Sequence, residues 1–154
     1  MQKIREEILK INKDIEIIEN APMSKYTSFK AGGNAKALIN VENIEDLKAL
    51  LQLFHEKGIK HMVLGNGSNT LFKDSGYDGI VIRNMINESI AYWPENGVNV
   101  KDLEKGQKCT VEVRGTGILL SSLSRMVAED GLSGMEFASG IPGSLGGGEK
   151  ECGS

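Results

Sequence analysis

Hydrophobic residues near the N-terminus recur with the spacing of one helical face. The isoleucines of this segment are Ile4, Ile8, Ile11, Ile15 and Ile18. Their alternating spacing of four and three residues predicts an amphipathic helix. Residues 14–17 also alternate between charged and apolar side chains, as a strand does. The pattern therefore predicts a helix to about Asn12 and leaves the residues that follow open between helix and strand.

A strand, a helix and a second strand are predicted next. Residues 37–41, ALINV, form a short apolar run typical of a strand. Asn43 can cap a helix that ends before Gly58. The predicted buried stripe of this helix consists of Ile44, Leu47, Leu50, Leu51 and Phe54. Because IKHMVLG then reads as a strand, residues 37–64 are predicted to form a βαβ unit with a right-handed crossover.

The second half of the chain predicts shorter elements. GIVIR (79–83) is a β-branched run, and residues 89–93 and 108–114 alternate well enough for antiparallel strands. PENG is expected to turn between these two. A second helix, closed by Gly131, is marked by the apolar residues Leu119, Leu120, Leu123, Met126 and Val127.

Composition and charge exclude several classes of function. The chain has 154 residues, 40% of them hydrophobic, and a net charge of −3 without a basic cluster. Nucleic-acid and membrane partners are therefore not expected. Cys109 and Cys152 form no CxxC pattern, so reduced thiols of a cytoplasmic protein are expected. His55 and His61 have no companions in a metal-binding pattern, and no metal site is expected.

The candidate chemistry lies first in the loop from Gly65 to Asn69, directly after a predicted strand. The loop lacks the lysine of a P-loop and the GxGxxG pattern at the start of a helix. Its backbone N–H groups can instead point around an anion, with Ser68 and Asn69 as side-chain donors. Small residues also let the backbone approach a diphosphate closely. A plain glycine-rich surface turn remains the alternative.

A second glycine-rich stretch, FASGIPGSLGG (137–147), strengthens the case for a ligand. Pro142 stiffens the segment, and Ser139 and Ser144 supply hydroxyl groups. One loop suited to a diphosphate and another able to wrap a ring system predict a dinucleotide lying across two lobes. Two unrelated turns remain the alternative.

Several motifs occur in the order found in a known family. They are SKYTSFKAGGNA (24–35), VLGNGSNTLF (63–72), GIVIR (79–83) and GLSGMEFASGIPGSLGG (131–147). Through them the chain, from about Ser24 to Gly147, resembles the UDP-N-acetylenolpyruvoylglucosamine reductases, flavoenzymes of peptidoglycan precursor synthesis.

The resemblance implies an α+β fold and a division of the chain. The implied fold is the vanillyl-alcohol-oxidase-type (PCMH-like) FAD-binding domain, with a βαβ first lobe and a mixed or antiparallel second lobe that carries helices. The implied segments are an N-terminal helix and lead-in (1–22), the first lobe (23–84), an incomplete second lobe (85–147) and a tail unlike the family (148–154).

The resemblance also implies which residues bind FAD. The loop around the FAD diphosphate is matched by Leu64, Gly65, Asn66, Gly67, Ser68 and Asn69. The segment along the flavin is matched by Ser139, Gly140, Ile141, Pro142, Gly143 and Ser144. An entry motif near the cofactor is matched by Tyr26, Thr27, Gly32 and Gly33, and a turn after a second-lobe strand by Gly115 and Gly117. For Arg83, a surface or salt-bridged position is expected.

The implied reaction is a hydride relay from NADPH through FAD to the enolpyruvyl double bond of a UDP-sugar. The family's catalytic residues and substrate domain have no counterpart in this sequence, because GEKECGS (148–154) is unlike the family. No catalytic residue is therefore assigned, and the UDP-sugar is expected to bind only if the missing domain is supplied. The alternative is a non-catalytic nucleotide-binding module, or one that self-associates through an exposed sheet edge.

Overall fold

The chain divides into two units, Met1–Ile86 and Asn87–Ser154. The computed structural model describes residues 1–87, 89–115 and 117–147. The predicted tail at 148–154, with Cys152, lies outside these residues. The predicted segments 1–22, 23–84 and 85–147 concern the lobes of the family, and they stay a prediction.

A sheet of four strands forms the centre of the first unit. Its strands, in chain order, are β1 (Ile17–Pro22), β2 (Asn34–Val41), β3 (His61–Leu64) and β4 (Tyr77–Asn84). Their order across the sheet is β1-β2-β4-β3. Strand β1 runs antiparallel to β2, whereas β4 is parallel to both of its neighbours. The strands predicted at 37–41 and 79–83 are confirmed, and the one predicted from IKHMVLG is confirmed over residues 61–64.

Helix α2 (Ile44–Glu56) connects two parallel strands, β2 and β3, as a βαβ unit requires. These strands are not neighbours, however, because β4 lies between them. Strand β4 suits this central position, since residues 79–82 are all buried and both faces of the sheet are covered there.

Helices α1 (Gln2–Ile11) and α2 cover one face of the sheet. The core beneath them includes Ile8, Leu50 and Phe54, none of which is exposed. Helix α1 ends one residue before Asn12, close to the predicted position. Ile15 joins the same core from the connection that leads to β1, which resolves the ambiguity at residues 14–17.

The predicted cap and stripe of α2 are largely confirmed. The side chain of Asn43 accepts a hydrogen bond from the N–H of Asp46 at 2.8 Å, and Gly58 has the left-handed φ of +62° that ends many helices. Leu47 and Leu51 pack at the margin of the core. The prediction was wrong for Ile44, which is 38% exposed, because the first helical residue lies outside the turns packed on the sheet.

Loops, and not helices, cover the opposite face of the first sheet. Met23 and Phe72 are buried there against β2, β3 and β4. Met23 begins a short 3-10 helix, Met23–Lys25, and Phe72 follows the glycine loop. This face thereby holds the loops of residues 23–33 and 65–76 in place.

The second unit contains a two-stranded antiparallel sheet and a helix. The strands β5 (Ser89–Pro94) and β6 (Cys109–Arg114) pair as predicted. PENG forms the predicted turn, in which the N–H of Gly97 donates to the carbonyl of Pro94 at 3.1 Å, and the connection then continues to residue 108 through the 3-10 helix Val100–Asp102. Helix α3 (Leu120–Glu129) buries Leu123 and Val127.

Leu120, Leu123, Met126 and Val127, four of the five residues that predicted this helix, lie in α3. Leu119 precedes the helix and Met126 lies on its outer side, and each is about two fifths exposed. Gly131 follows the helix with a φ of +81°, as its predicted closing role requires. No helix in the described part of the chain is long and apolar enough to cross a membrane.

We expect Phe54→Ala to destabilise the first unit by about 3–5 kcal/mol, because it leaves a cavity between α2 and the sheet. Ile44→Ala, on the same helix, should change the free energy of unfolding by less than about 0.5 kcal/mol. Urea unfolding followed by circular dichroism measures both. Equal effects of the two substitutions would contradict the packing described for α2.

Candidate cofactor site

The loop Gly65–Asn69 begins at the carboxyl end of β3, where parallel strands commonly present ligand-binding residues. Leu64 and Gly67 are buried, whereas Asn66 and Asn69 are exposed. Within the described residues, the N–H groups of Asn66, Gly67 and Ser68 donate to no main-chain carbonyl. That these groups bind an anion stays a prediction.

Gly67 holds this loop against the segment that contains Tyr26 and Thr27. The N–H of Ser28 donates to the carbonyl of Gly67 at 3.0 Å. A Cβ atom at Gly67 would lie only 2.2 Å from the carbonyl oxygen of Tyr26, and the φ of Gly67 is +69°. Only glycine fits this approach, because any other residue would combine a steric clash with a strained backbone.

Gly32 and Gly33 make a second close contact between the same two loops. A Cβ at Gly32, whose φ is +103°, would lie 2.5 Å from the carbonyl oxygen of Phe72. The N–H of Gly33 donates to the carbonyl of Lys73 at 2.9 Å. These glycines therefore hold the loops together through the backbone, a role that their place in a cofactor motif did not reveal.

Tyr26 and Thr27 belong to the same packed region. Thr27 is buried, and its hydroxyl donates to the carbonyl of Met23 at 3.4 Å. The Tyr26 ring packs at the edge of the core on this face, and the guanidinium carbon of Arg83 lies 5.6 Å from the ring centroid. The structure thus brings both residues next to Gly67.

The residues predicted in the second half of the chain lie within the second unit, where Gly143 and Ser144 contact the start of α3. Ser144 is buried and pairs with Leu119 in an isolated antiparallel bridge. The N–H of Leu120 donates to the carbonyl of Gly143 at 3.0 Å. Ser139, by contrast, is exposed and donates its hydroxyl hydrogen to the carbonyl of Glu136.

The other predicted residues of the second unit lie on either side of this bridge. Gly115 and Gly117 precede α3 and are half-buried, with Gly115 at a φ of +110°. Residues 140–142 connect Ser139 to the bridged residues. Gly140 and Pro142 are exposed, whereas Ile141 is half-buried. The predicted site residues therefore form one group in each unit.

Some contributors to the site were missed at the level of sequence. Phe72 and Gly76 complete the loop packing, since a Cβ at Gly76 would lie 2.3 Å from the carbonyl oxygen of Asn34. Arg83 was expected at the surface or in a salt bridge, but the structure places it half-buried beside Tyr26. The sequence did contain a signal for a role at the site, because Arg83 is the first polar residue after a buried run and lies near the carboxyl end of a strand.

The chemistry of these loops is that of binding. Main-chain N–H groups, hydroxyls and amides can hold a phosphorylated ligand, but none of them is an acid or base that titrates near neutral pH. The described residues contain no cluster of at least three His, Cys, Asp or Glu side chains that could hold a metal ion. An α+β fold with a glycine loop at the carboxyl edge of its parallel strands defines a nucleotide-cofactor-binding protein.

Comparison with known families identifies this cofactor. A family model described as the FAD binding domain matches residues 35–150. The chain belongs to this FAD-binding domain family, and FAD is its cofactor. The loop fits this group, since its small residues and the N–H groups of Asn66, Gly67 and Ser68 suit a diphosphate.

Two curated proteins that share one name are similar to this chain over most of its length. The UDP-N-acetylenolpyruvoylglucosamine reductase of Caldicellulosiruptor saccharolyticus is 34% identical over 134 residues, which are 87% of this chain and 38% of that protein. That of Clostridioides difficile is 40% identical over 134 residues, 87% of this chain and 39% of that protein. The chain thus spans less than two fifths of the length of these relatives.

We expect Gly67→Ala to destabilise the first unit by about 2–5 kcal/mol, the sum of a left-handed backbone and a clash with the Tyr26 carbonyl. Gly58→Ala is a matched control, because Gly58 also has a positive φ but nothing lies within 4 Å of its added Cβ. This control should lose only about 1–2 kcal/mol. Chemical unfolding of both variants measures the difference. If they lose equal stability, the close contact at Gly67 does not hold the loops.

Proposed function

We propose that this chain is the FAD-binding part of an NADPH-dependent reductase that converts UDP-N-acetylglucosamine enolpyruvate to UDP-N-acetylmuramate. The observation that carries the proposal is the loop at 65–69, which is held against residues 26–28 and in which the N–H groups of residues 66–68 donate to no main-chain carbonyl of the described residues. The likeness to reductases of this name supports the choice of substrate. The reaction takes place in the cytoplasm in this proposal, where NADPH and UDP-sugars are supplied.

The residues that would hold FAD fall into two sets in this proposal. The first-unit loops would bind the diphosphate through the N–H groups of Asn66, Gly67 and Ser68. The second-unit segment from Ser139 to Ser144, with Gly115 and Gly117, would lie along the flavin. This assignment follows the vanillyl-alcohol-oxidase-type arrangement of two lobes, with 23–84 as the first and 85–147 as the second.

In this proposal the residues of this chain position the cofactor. When bound, FAD would supply the hydride-transfer chemistry between NADPH and the enolpyruvyl group. No catalytic residue is assigned in the described loops, so their contribution is orientation and electrostatic stabilisation of the diphosphate.

The non-catalytic module considered from the sequence has less support. A match to the FAD-binding domain family would be unexpected for a module that has lost FAD. Self-association through a sheet edge stays a prediction.

We expect the purified chain to bind FAD saturably, with one FAD per chain. Titration followed by quenching of flavin fluorescence measures the dissociation constant, and absorbance of the gel-filtered complex measures the stoichiometry. Gly67→Ala should weaken binding at least 10-fold, whereas Gly58→Ala should leave it within about 2-fold, since only the first displaces the loop. A folded chain that binds no FAD would refute the cofactor assignment for this polypeptide.

A chimaera tests the proposed reaction. The matching segment of the Clostridioides difficile reductase, 40% identical over 134 residues, is replaced by this chain. Oxidation of NADPH is then recorded at 340 nm with and without the UDP-enolpyruvyl sugar. We expect turnover that depends on the UDP-sugar, and its loss with Gly67→Ala in the same chimaera. A chimaera that binds FAD but oxidises NADPH without regard to the sugar would contradict the proposed substrate.

A further inference from the structure

Arg83 lies next to the start of the glycine loop. In the parallel pairing of β3 with β4, Arg83 is opposite Leu64, the residue immediately before Gly65. Val81 and Leu64 both belong to the core on the loop-covered face of the sheet. Because side chains two residues apart on a strand share a face, Arg83 points to this same face. Its contact with the Tyr26 ring agrees with that direction.

The guanidinium of Arg83 is not paired with a carboxylate in the described part of the chain. Each of the other arginines, Arg5, Arg114 and Arg125, forms an ion pair with a glutamate. Arg83 is in none of the ion pairs found among the described residues, although it is half-buried. A partly buried cation without a counter-ion carries a desolvation cost that an anionic ligand would offset.

Tyr26 fixes where this charge lies. The guanidinium carbon lies 5.6 Å from the centroid of the Tyr26 ring, within the range of a cation–π contact, and the carbonyl of Tyr26 is the group that Gly67 approaches. A cation–π contact does not pair the guanidinium N–H donors with an oxygen acceptor. A planar arginine with free N–H groups is well suited to bidentate contact with phosphate oxygens.

We propose that Arg83 donates hydrogen bonds to the diphosphate of FAD bound at the 65–69 loop, and that Tyr26 positions the guanidinium for this contact. The inference rests on the proposed function, because it needs FAD at that loop. The loop N–H groups and Arg83 would then act on the same phosphates from adjacent elements. Arg83 provides the full positive charge that the loop itself lacks.

The test compares FAD with riboflavin, which has the same ring system without phosphates, in binding to the wild-type chain, Arg83→Met, Arg83→Lys and Tyr26→Leu. Arg5→Met is the control, because it removes an arginine of the same unit from an exposed ion pair with Glu19. Dissociation constants come from flavin fluorescence, at several NaCl concentrations. Circular dichroism and urea unfolding establish that each variant is folded.

We expect Arg83→Met to weaken FAD binding about 10- to 100-fold, with Arg83→Lys and Tyr26→Leu between this variant and the wild type. Riboflavin binding should stay within about 2-fold, and NaCl should weaken FAD binding less in Arg83→Met than in the wild type, because the screened charge is gone. Arg5→Met should change neither ligand's affinity.

Other results would overturn the inference. If folded Arg83→Met binds FAD as tightly as the wild type, with the same dependence on NaCl, Arg83 does not contact the phosphates. An equal loss for FAD and riboflavin would instead assign Arg83 to the packing of the site. If the wild-type chain itself binds no FAD, the proposed function fails and this inference fails with it. If the wild-type chain binds FAD and Arg83→Met binds it equally well, only the inference about Arg83 fails.

Discussion

The approach of Gly67 to the Tyr26 carbonyl is the contact on which the rest of the site depends. It allows two irregular loops to pack backbone against backbone, with the Ser28 N–H bonded to the Gly67 carbonyl. Irregular loops usually lack the regular hydrogen bonds that rigidify a helix or a strand. Here the close backbone packing at the glycines restrains the loops instead. The N–H groups of residues 66–68, which donate to no main-chain carbonyl in the described residues, are therefore held in a defined place. A binding loop needs this property, because an ordered loop loses less entropy when its ligand binds.

The unequal covering of the first sheet explains why the site forms on one side only. Helices α1 and α2 bury one face with Ile8, Leu50 and Phe54, which pack against strand residues such as Ile39 and Ile82. The opposite face is closed by Met23 and Phe72, which belong to the loops themselves. The stability of the helical face thereby supports a loop face that contains several glycines and little regular structure. Many proteins likewise place their binding residues on loops that a rigid scaffold supports.

Arg83 extends the same principle from shape to charge. A half-buried arginine without a counter-ion carries a desolvation cost, and the cation–π contact with Tyr26 offsets only part of it. The N–H groups of residues 66–68 likewise donate to no main-chain carbonyl in the described residues. A diphosphate bound there would satisfy both kinds of group at once. The arrangement therefore favours ligand binding over the stability of the ligand-free chain, as binding sites often do.

Local pattern determined the elements of this protein and the motifs of its site. Hydrophobic spacing was sufficient for α1 and α2, and alternation was sufficient for β5 and β6, because both depend on neighbours a few residues away. The glycine loop and its family were also evident from residues that are contiguous in the chain. Tertiary structure alone decided that β4 lies between β2 and β3, that Gly32 and Gly67 hold loops together, and that Arg83 lies beside the Tyr26 ring. Each of these features is a contact between residues that are distant in the sequence. The hydrophobic periodicity of a segment does not indicate which distant backbone or charged group a residue will contact.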